Sequence, residues 1–269
     1  MLIPVTAEDN ILNERPFKDE ETRYNLFHRI QDYHQAVKLK DPNGNALLYQ
    51  TPGYNAWMWV NAQLAEEKQE QLVHACCDSA LALDLPGITG DPRLVEQFAS
   101  TYTERVKKTY QQEMMMIAYR CPDVRKPSHA KGTHRLSADK DLETIAEYLA
   151  GFMRDAQGEE VTPESQLISA QKSIQSGKLY VWEVDGETVS MAAITHRAAR
   201  EACINSVYTP SEQRNQGYAS ALVAELCEMI LQDGLVPMLY ADAANPISNK
   251  VYRNIGFEPC GYIQEIKFK

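Results

Sequence analysis

The sequence predicts a mixed α/β protein in two parts, on three observations. Segments of helical period alternate with short extended runs along the whole chain. A polar stretch, RCPDVRKPSHAKG (120–132), breaks that alternation near the middle. And 269 residues exceed the roughly 100–200 that one domain usually holds. The division gives an N-terminal part, 1–127, and a C-terminal part, 128–269.

In the first part, DEETRYNLFHRIQDYHQAV (19–37) and EEKQEQLVHACCDSALAL (66–83) predict helices. Between them, NALLYQTP (45–52) and YNAWMWVN (54–61) predict a strand pair around Pro52-Gly53. Gly87–Gly90 reads as a loop into a helix over 91–106, opened by Asp91 and Pro92. EMMMIAYR (113–120) predicts a strand, and its Met114–Met116 run fits a buried strand better than a cofactor contact.

The second part alternates more regularly. A short strand over 132–139 precedes a helix over 141–155, with Leu142, Ile145, Leu149 and Phe152 at helical spacing. The next helix, 162–177, has Thr162 as N-cap, Pro163 in its first position and a glycine stop. Two strands over 178–196 flank the hairpin signal Asp185-Gly186. A strand at 202–210 leads to a glycine segment and then a helix with Ala219, Leu222, Val223, Leu226, Met229 and Ile230 on one face, ended by Gly234. A strand at 235–243, a short helix at 245–256 and a strand at 257–268 complete the chain.

The apolar share of 44% suits a buried core, and the net charge of −10 is spread over both parts. No basic block appears, which argues against a nucleic-acid partner. No apolar run approaches the roughly 20 residues of a membrane span, and MLIPVTAEDN has no secretory pattern. The six cysteines (76, 77, 121, 203, 227, 260) fit free thiols in a reducing compartment, so the sequence predicts a cytoplasmic protein. They form no ligand spacing with the histidines (28, 34, 74, 129, 134, 196), and no metal is expected.

QRNQGYASALVAEL (213–226) carries the chemistry. The first N–H groups of a helix lack internal partners, and the helix dipole adds positive charge there, so its mouth suits an anion. Gly217 lets backbone approach a bulky diphosphate, and Arg214 offers a guanidinium fork. Taken alone the segment is either such a cradle or an ordinary strand-to-helix turn. The P-loop and dinucleotide fingerprints are both missing.

In context, INSVYTP, QRNQGYA, a helix, a strand and NPISNKVYRNIGF resemble the GNAT superfamily of acyl-CoA-dependent N-acyltransferases over about 130–269. That family's pyrophosphate signature, Q/R-x-x-G-x-G/A, is met by Arg214, Asn215, Gln216, Gly217, Tyr218 and Ala219; Asn249, Tyr252, Gly256 and Phe257 match its later motif. The resemblance implies an acyl-CoA N-acyltransferase fold and acetyl-CoA as donor to a primary amine of a small molecule or peptide. It implies backbone contacts to the coenzyme from Ser206, Val207, Tyr208 and Thr209. Ser220, Asn245, Asn249 and Tyr252 join the coenzyme set, and Tyr252 is also the general acid that protonates the leaving thiolate. A homo-oligomer is compatible with this reading.

Glu183, His196 and Glu201 stand as candidate bases, and Asp242 as a substrate contact or a cap of the Asn245 turn. LPGITGDPRLVEQFASTY (85–102) resembles the first half of GNAT proteins with a second, degenerate acyltransferase-like domain. There Asp91 and Pro92 occupy the helix mouth, which would repel a phosphate and remove a donor. The alternative to an enzyme is a non-catalytic acyl-CoA-sensing module whose first part binds a partner.

Overall fold

The computed structural model of the protein describes residues 1–127 and 130–269; Ser128 and His129 of the predicted linker lie outside the described residues. The chain forms two compact units. One comprises Met1–Ala118, Asp242–Ala244 and Cys260–Lys269, the other Tyr119–Ala241 and Asn245–Pro259.

The elements of the N-terminal half are β1 (Ile3–Pro4), α1 (Leu26–Gln31), β2 (Val37–Lys40), β3 (Ala46–Gln50), β4 (Ala56–Val60), α2 (Glu66–Ala80), β5 (Gly87–Gly90), α3 (Pro92–Val106) and β6 (Tyr110–Arg120). Strands β1 to β4 pair antiparallel in succession, and β4 pairs parallel with β5. The last strand of the chain, β12 (Glu258–Phe268), then pairs antiparallel with β5, from Gly87↔Lys267 to Gly90↔Gln264. Leu72, Val73, Cys76, Cys77 and Ala80 of α2 pack with Leu94, Val95, Phe98, Ala99 and Tyr102 of α3 over Leu48, Met58, Ile88 and Ile266. Their three- and four-residue spacing gives each helix one apolar stripe to bury.

Three expectations change here. Only Leu26–Gln31 of the 19–37 segment is α-helix; Phe17–Glu20 is a 3-10 turn, and Val37 already begins β2. Phe17 packs edge-on to Trp59 at 5.3 Å and Phe27 lies 4.9 Å from Tyr49, so aromatic packing overrides helical propensity. Gly87–Gly90 is a buried strand rather than a loop, because β4 and the distant β12 complete its hydrogen bonding. Met114–Met116 are half-buried in β6, and Ile117, Ala118 and Tyr119 take the buried places.

The other unit contains β7 (Thr133–Leu136), α4 (Leu142–Gln157), α5 (Pro163–Gln175), β8 (Leu179–Val184), β9 (Glu187–Arg197), β10 (Glu201–Tyr208), α6 (Tyr218–Gln232), β11 (Val236–Asp242, to Ala241) and α7 (Pro246–Ile255). Its strands run in the order β11-β10-β9-β8-β7; β10 and β11 are parallel and the other pairs antiparallel. Thr162 caps α5 by accepting from Ser165 N–H, and Asp185-Gly186 turns β8 into β9. Ile145, Ala146 and Tyr148 of α4 meet Leu179, Val181 and Met191. Leu222, Val223, Leu226 and Ile230 bury the predicted face of α6. At the base of α4, Arg135 forks onto the buried Asp141 at 2.7 and 2.8 Å, and Asp141 also accepts from Ala138 N–H and Thr188.

Candidate active site

The site is built on the end of β10. Its parallel pairing with β11 runs only from Glu201↔Val236 to Cys203↔Met238. Against β9 it is bulged: Asn205 faces Ala193 and Tyr208 faces Met191, so three steps on β10 match two on β9. Ser206 sits in the bulge at φ +53°, and its N–H bonds the Asn205 side-chain oxygen at 2.6 Å. A bulge re-aims backbone groups, and here it does so where β10 has left β11. Ser190 anchors the far side, donating to the Tyr208 carbonyl at 2.9 Å and lying 2.9 Å from the Thr209 hydroxyl.

A 3-10 turn, Ser211–Gln213, carries the chain from β10 into the glycine segment. Asn215 takes a left-handed φ of +63°, a conformation asparagine tolerates. Gly217 has φ +81° and is the N-cap of α6. A glycine cap supplies no side chain, so the first N–H groups of α6 are left for an external acceptor. Arg214, Asn215, Gln216 and Gly217 are exposed, and Tyr218, Ala219 and Ser220 are partly so.

Asn245 caps α7, accepting from Ser248 N–H at 3.0 Å. Asn249 is buried one turn on; its Nδ2 donates to the Asn245 carbonyl at 2.7 Å, and its Oδ1 accepts from the Tyr119 hydroxyl at 3.1 Å. Tyr252 follows, its ring 6.3 Å from Tyr119 and 5.7 Å from Phe257. Burial pushes its phenol up to about 12. The phenol is thus protonated throughout the neutral range.

A model of the Acetyltransferase (GNAT) family matches residues 142–257. Those residues are a GNAT-family acetyltransferase domain. The family's chemistry is acetyl-CoA-dependent acyl transfer, and the domain spans α4 to α7 with the bulge, the glycine segment and Tyr252 inside it. No curated protein sequence matches the chain. Solved structures of similar fold include an acetyltransferase of the GNAT family from Colwellia psychrerythraea, with TM-score 0.58 and 10% identity over all of both chains. A Drosophila protein gives TM-score 0.67 at 11% identity, over all of this chain and 98% of its own. A GCN5-related N-acetyltransferase from Sphaerobacter thermophilus gives 0.56 at 16%, covering 91% of this chain and 84% of its own. The acyl-CoA N-acyltransferase fold therefore extends over the chain.

The candidate bases do not converge on the GNAT domain's bulge. Glu201 begins β10, five residues and so roughly 16 Å from Ser206 along the strand. His196 sits opposite Cys203, at the same end. Glu183 is paired with Arg135 at 2.7 Å and Lys140 at 3.0 Å, and hydrogen bonds from Lys140 and then Arg135 hold its carboxyl below the usual range. Asp242 accepts from Ala244 N–H at 2.8 Å, the cap alternative. In the first unit Asp91 caps α3, accepting from Arg93 and Leu94 N–H at 3.1 and 3.4 Å, and Arg23 pairs with it at 2.9 Å.

Sequence reasoning missed a stripe on α4. Tyr148, Gly151 and Asp155 lie three and four residues apart on one face. The Tyr208 ring rests on that face, 5.5 Å from Tyr148, with its hydroxyl against Gly151. The interruption of an apolar stripe by glycine and aspartate was the available signal. Tyr119 gave none, since its partner Asn249 is 130 positions away.

Proposed function

We propose that the GNAT domain is an N-acetyltransferase that moves the acetyl group of acetyl-CoA to a primary amine of a small molecule or peptide. The observation that carries this is the mouth of α6, whose glycine cap supplies no side chain, reached within a few residues from the bulged end of β10 that has parted from β11. The residues fit the coenzyme: a glycine cap without side chain, an exposed loop before it and unpaired strand edge beside it. The names of the Colwellia and Sphaerobacter proteins support the same reading.

When bound, acetyl-CoA supplies the activated thioester that the amine attacks. The N–H groups at the start of α6, from Gly217 to Ser220, hold the pyrophosphate, with Arg214, Asn215 and Gln216 shaping the approach. Backbone of Ser206, Val207, Tyr208 and Thr209 pairs with the pantetheine arm as an added strand would. A bulge N–H polarises the carbonyl oxygen as charge develops on it. Asn245 and Asn249 fix α7, and Tyr252 Oη gives its proton to the departing sulfur. A phenol raised by burial stays protonated until that moment. The incoming ammonium loses its proton to water, since Glu183 is held charged by two cations and Glu201 and His196 stand at the far end of β10.

The test incubates the protein with acetyl-CoA and a panel of polyamines, aminoglycosides, amino acids and peptides while following release of free thiol. Amine-dependent release is expected. Tyr252→Phe should retain coenzyme affinity and lose about a hundredfold in turnover. Coenzyme binding without thiol release across the panel would overturn the catalytic reading, and unchanged turnover of Tyr252→Phe would remove that residue from its role.

A further inference from the structure

Arg214 is the basic residue of the glycine segment, yet its guanidinium is already engaged. Nε donates to the Thr209 carbonyl at 2.9 Å, and Nη2 meets Asp155 Oδ2 near the end of α4. Its plane lies over the Tyr208 ring, with Cζ 5.8 Å from the centroid. Three anchors, from Tyr208 of β10, from Thr209 just after it and from Asp155 of α4, therefore converge on one side chain. Asp155 is well suited to hold it. Burial pushes that carboxyl up, but the hydrogen bonds from Arg214 and Arg154 outweigh it and keep the group charged at neutral pH.

A phosphate at the mouth of α6 would have to compete with this carboxylate for Arg214. The mouth does not need the competition, because its own N–H groups and the helix dipole attract an anion. The bond to Thr209 instead closes the span from 209 to 214, which contains Pro210 and the Ser211–Gln213 turn. That span joins the end of β10 to the start of the glycine segment. Fixing it fixes how far the unpaired strand edge stands from the helix mouth.

We propose that Arg214 is a positioning residue: with Asp155 it clamps the end of β10 and the glycine segment onto α4, and so sets the spacing between the pantetheine and pyrophosphate subsites. This rests on the coenzyme reading above. A planar fork is required, since one side chain must reach a carbonyl and a carboxylate at once; lysine has a single ammonium and lacks that shape.

The experiment measures CoA affinity by calorimetry and Tm by thermal unfolding for the unaltered protein, Arg214→Ala, Arg214→Lys, Asp155→Asn and Arg214→Ala/Asp155→Asn. The clamp predicts that each single variant weakens CoA binding by about fivefold, lysine included. It predicts that the double variant is no weaker than either single one, as for two residues acting as a unit. Tm should change little, because both side chains are partly exposed. If Asp155→Asn leaves affinity unchanged or improves it while Arg214→Ala weakens it, Arg214 is a direct phosphate ligand and the clamp is overturned. If no variant changes affinity, the pair is an ordinary surface contact and the clamp is again overturned. Absence of CoA binding by the unaltered protein would instead overturn the coenzyme reading together with the clamp.

Discussion

Gly151→Ala sets two effects of opposite sign against each other. Glycine inside a helix costs about 1 kcal/mol relative to alanine, so propensity alone says that the substitution stabilises α4. The tertiary environment says otherwise. A Cβ at 151 would stand 2.1 Å from Tyr208 Oη and 2.5 Å from its Cζ, against ordinary carbon contacts of about 3.5–4 Å. Tyr208 is only 7% exposed, and its backbone is tied by Ser190, so the ring has little room to withdraw. Overpacking of this kind costs about 1–3 kcal/mol. With the hydroxyl oxygen and two ring carbons inside contact distance the upper half of that range applies, which leaves a net loss of about 1–2 kcal/mol. Thermal unfolding should show Tm lower by about 2–8 °C. In a Tyr208→Ala background the obstacle is gone, and Gly151→Ala should raise Tm instead. A rise in Tm for Gly151→Ala in the otherwise unaltered chain would refute the reasoning.

Two further outcomes follow from the same structure. Removing residues 260–269 deletes the strand that pairs with β5 and takes Ile266 from the first unit's core. The first unit should lose its packing, and the emission of Trp57 and Trp59, both buried there, should shift to the red; native emission from the shortened chain would contradict it. Burial raises the Tyr252 phenol from its ordinary value near 10 to about 12. The unfolded chain then releases this proton first, so Tyr252 costs no stability below pH 10 and destabilises the fold as pH rises from 10 towards 12. An ultraviolet phenolate titration against Tyr252→Phe should show the missing group titrating late, and a step near pH 10 would sink the assignment.

Much of the GNAT domain was legible because its signals are local. Thr162, Pro163, Asp185-Gly186, Gly217 and Gly234 mark element ends by backbone chemistry that each residue carries with it. The apolar stripe of α6 predicts its buried face for the same reason. The 19–37 segment misleads because its aromatic residues answer to Trp59 and Tyr49 rather than to their own helix. The candidate bases stand on or beside strands of the cleft, but strand membership leaves open which end of β10 each occupies, and Glu201 begins the strand while Ser206 lies in its bulge.

By itself the sequence determined the element order of the second half, the glycine at the mouth of α6 and the placing of Tyr252 one turn after Asn249. Only tertiary structure decided that Gly87–Gly90 is a strand, since its partners on β12, Gln264 to Lys267, lie far along the chain. Only tertiary structure turned Arg214 towards Asp155 and set Tyr208 on Gly151. The physical reason is the same in each case. Turns, caps and helix faces are fixed by dihedral preferences and periodicity within a few residues, whereas pairing partners and the competition for one guanidinium are settled by groups that meet only after the chain has folded.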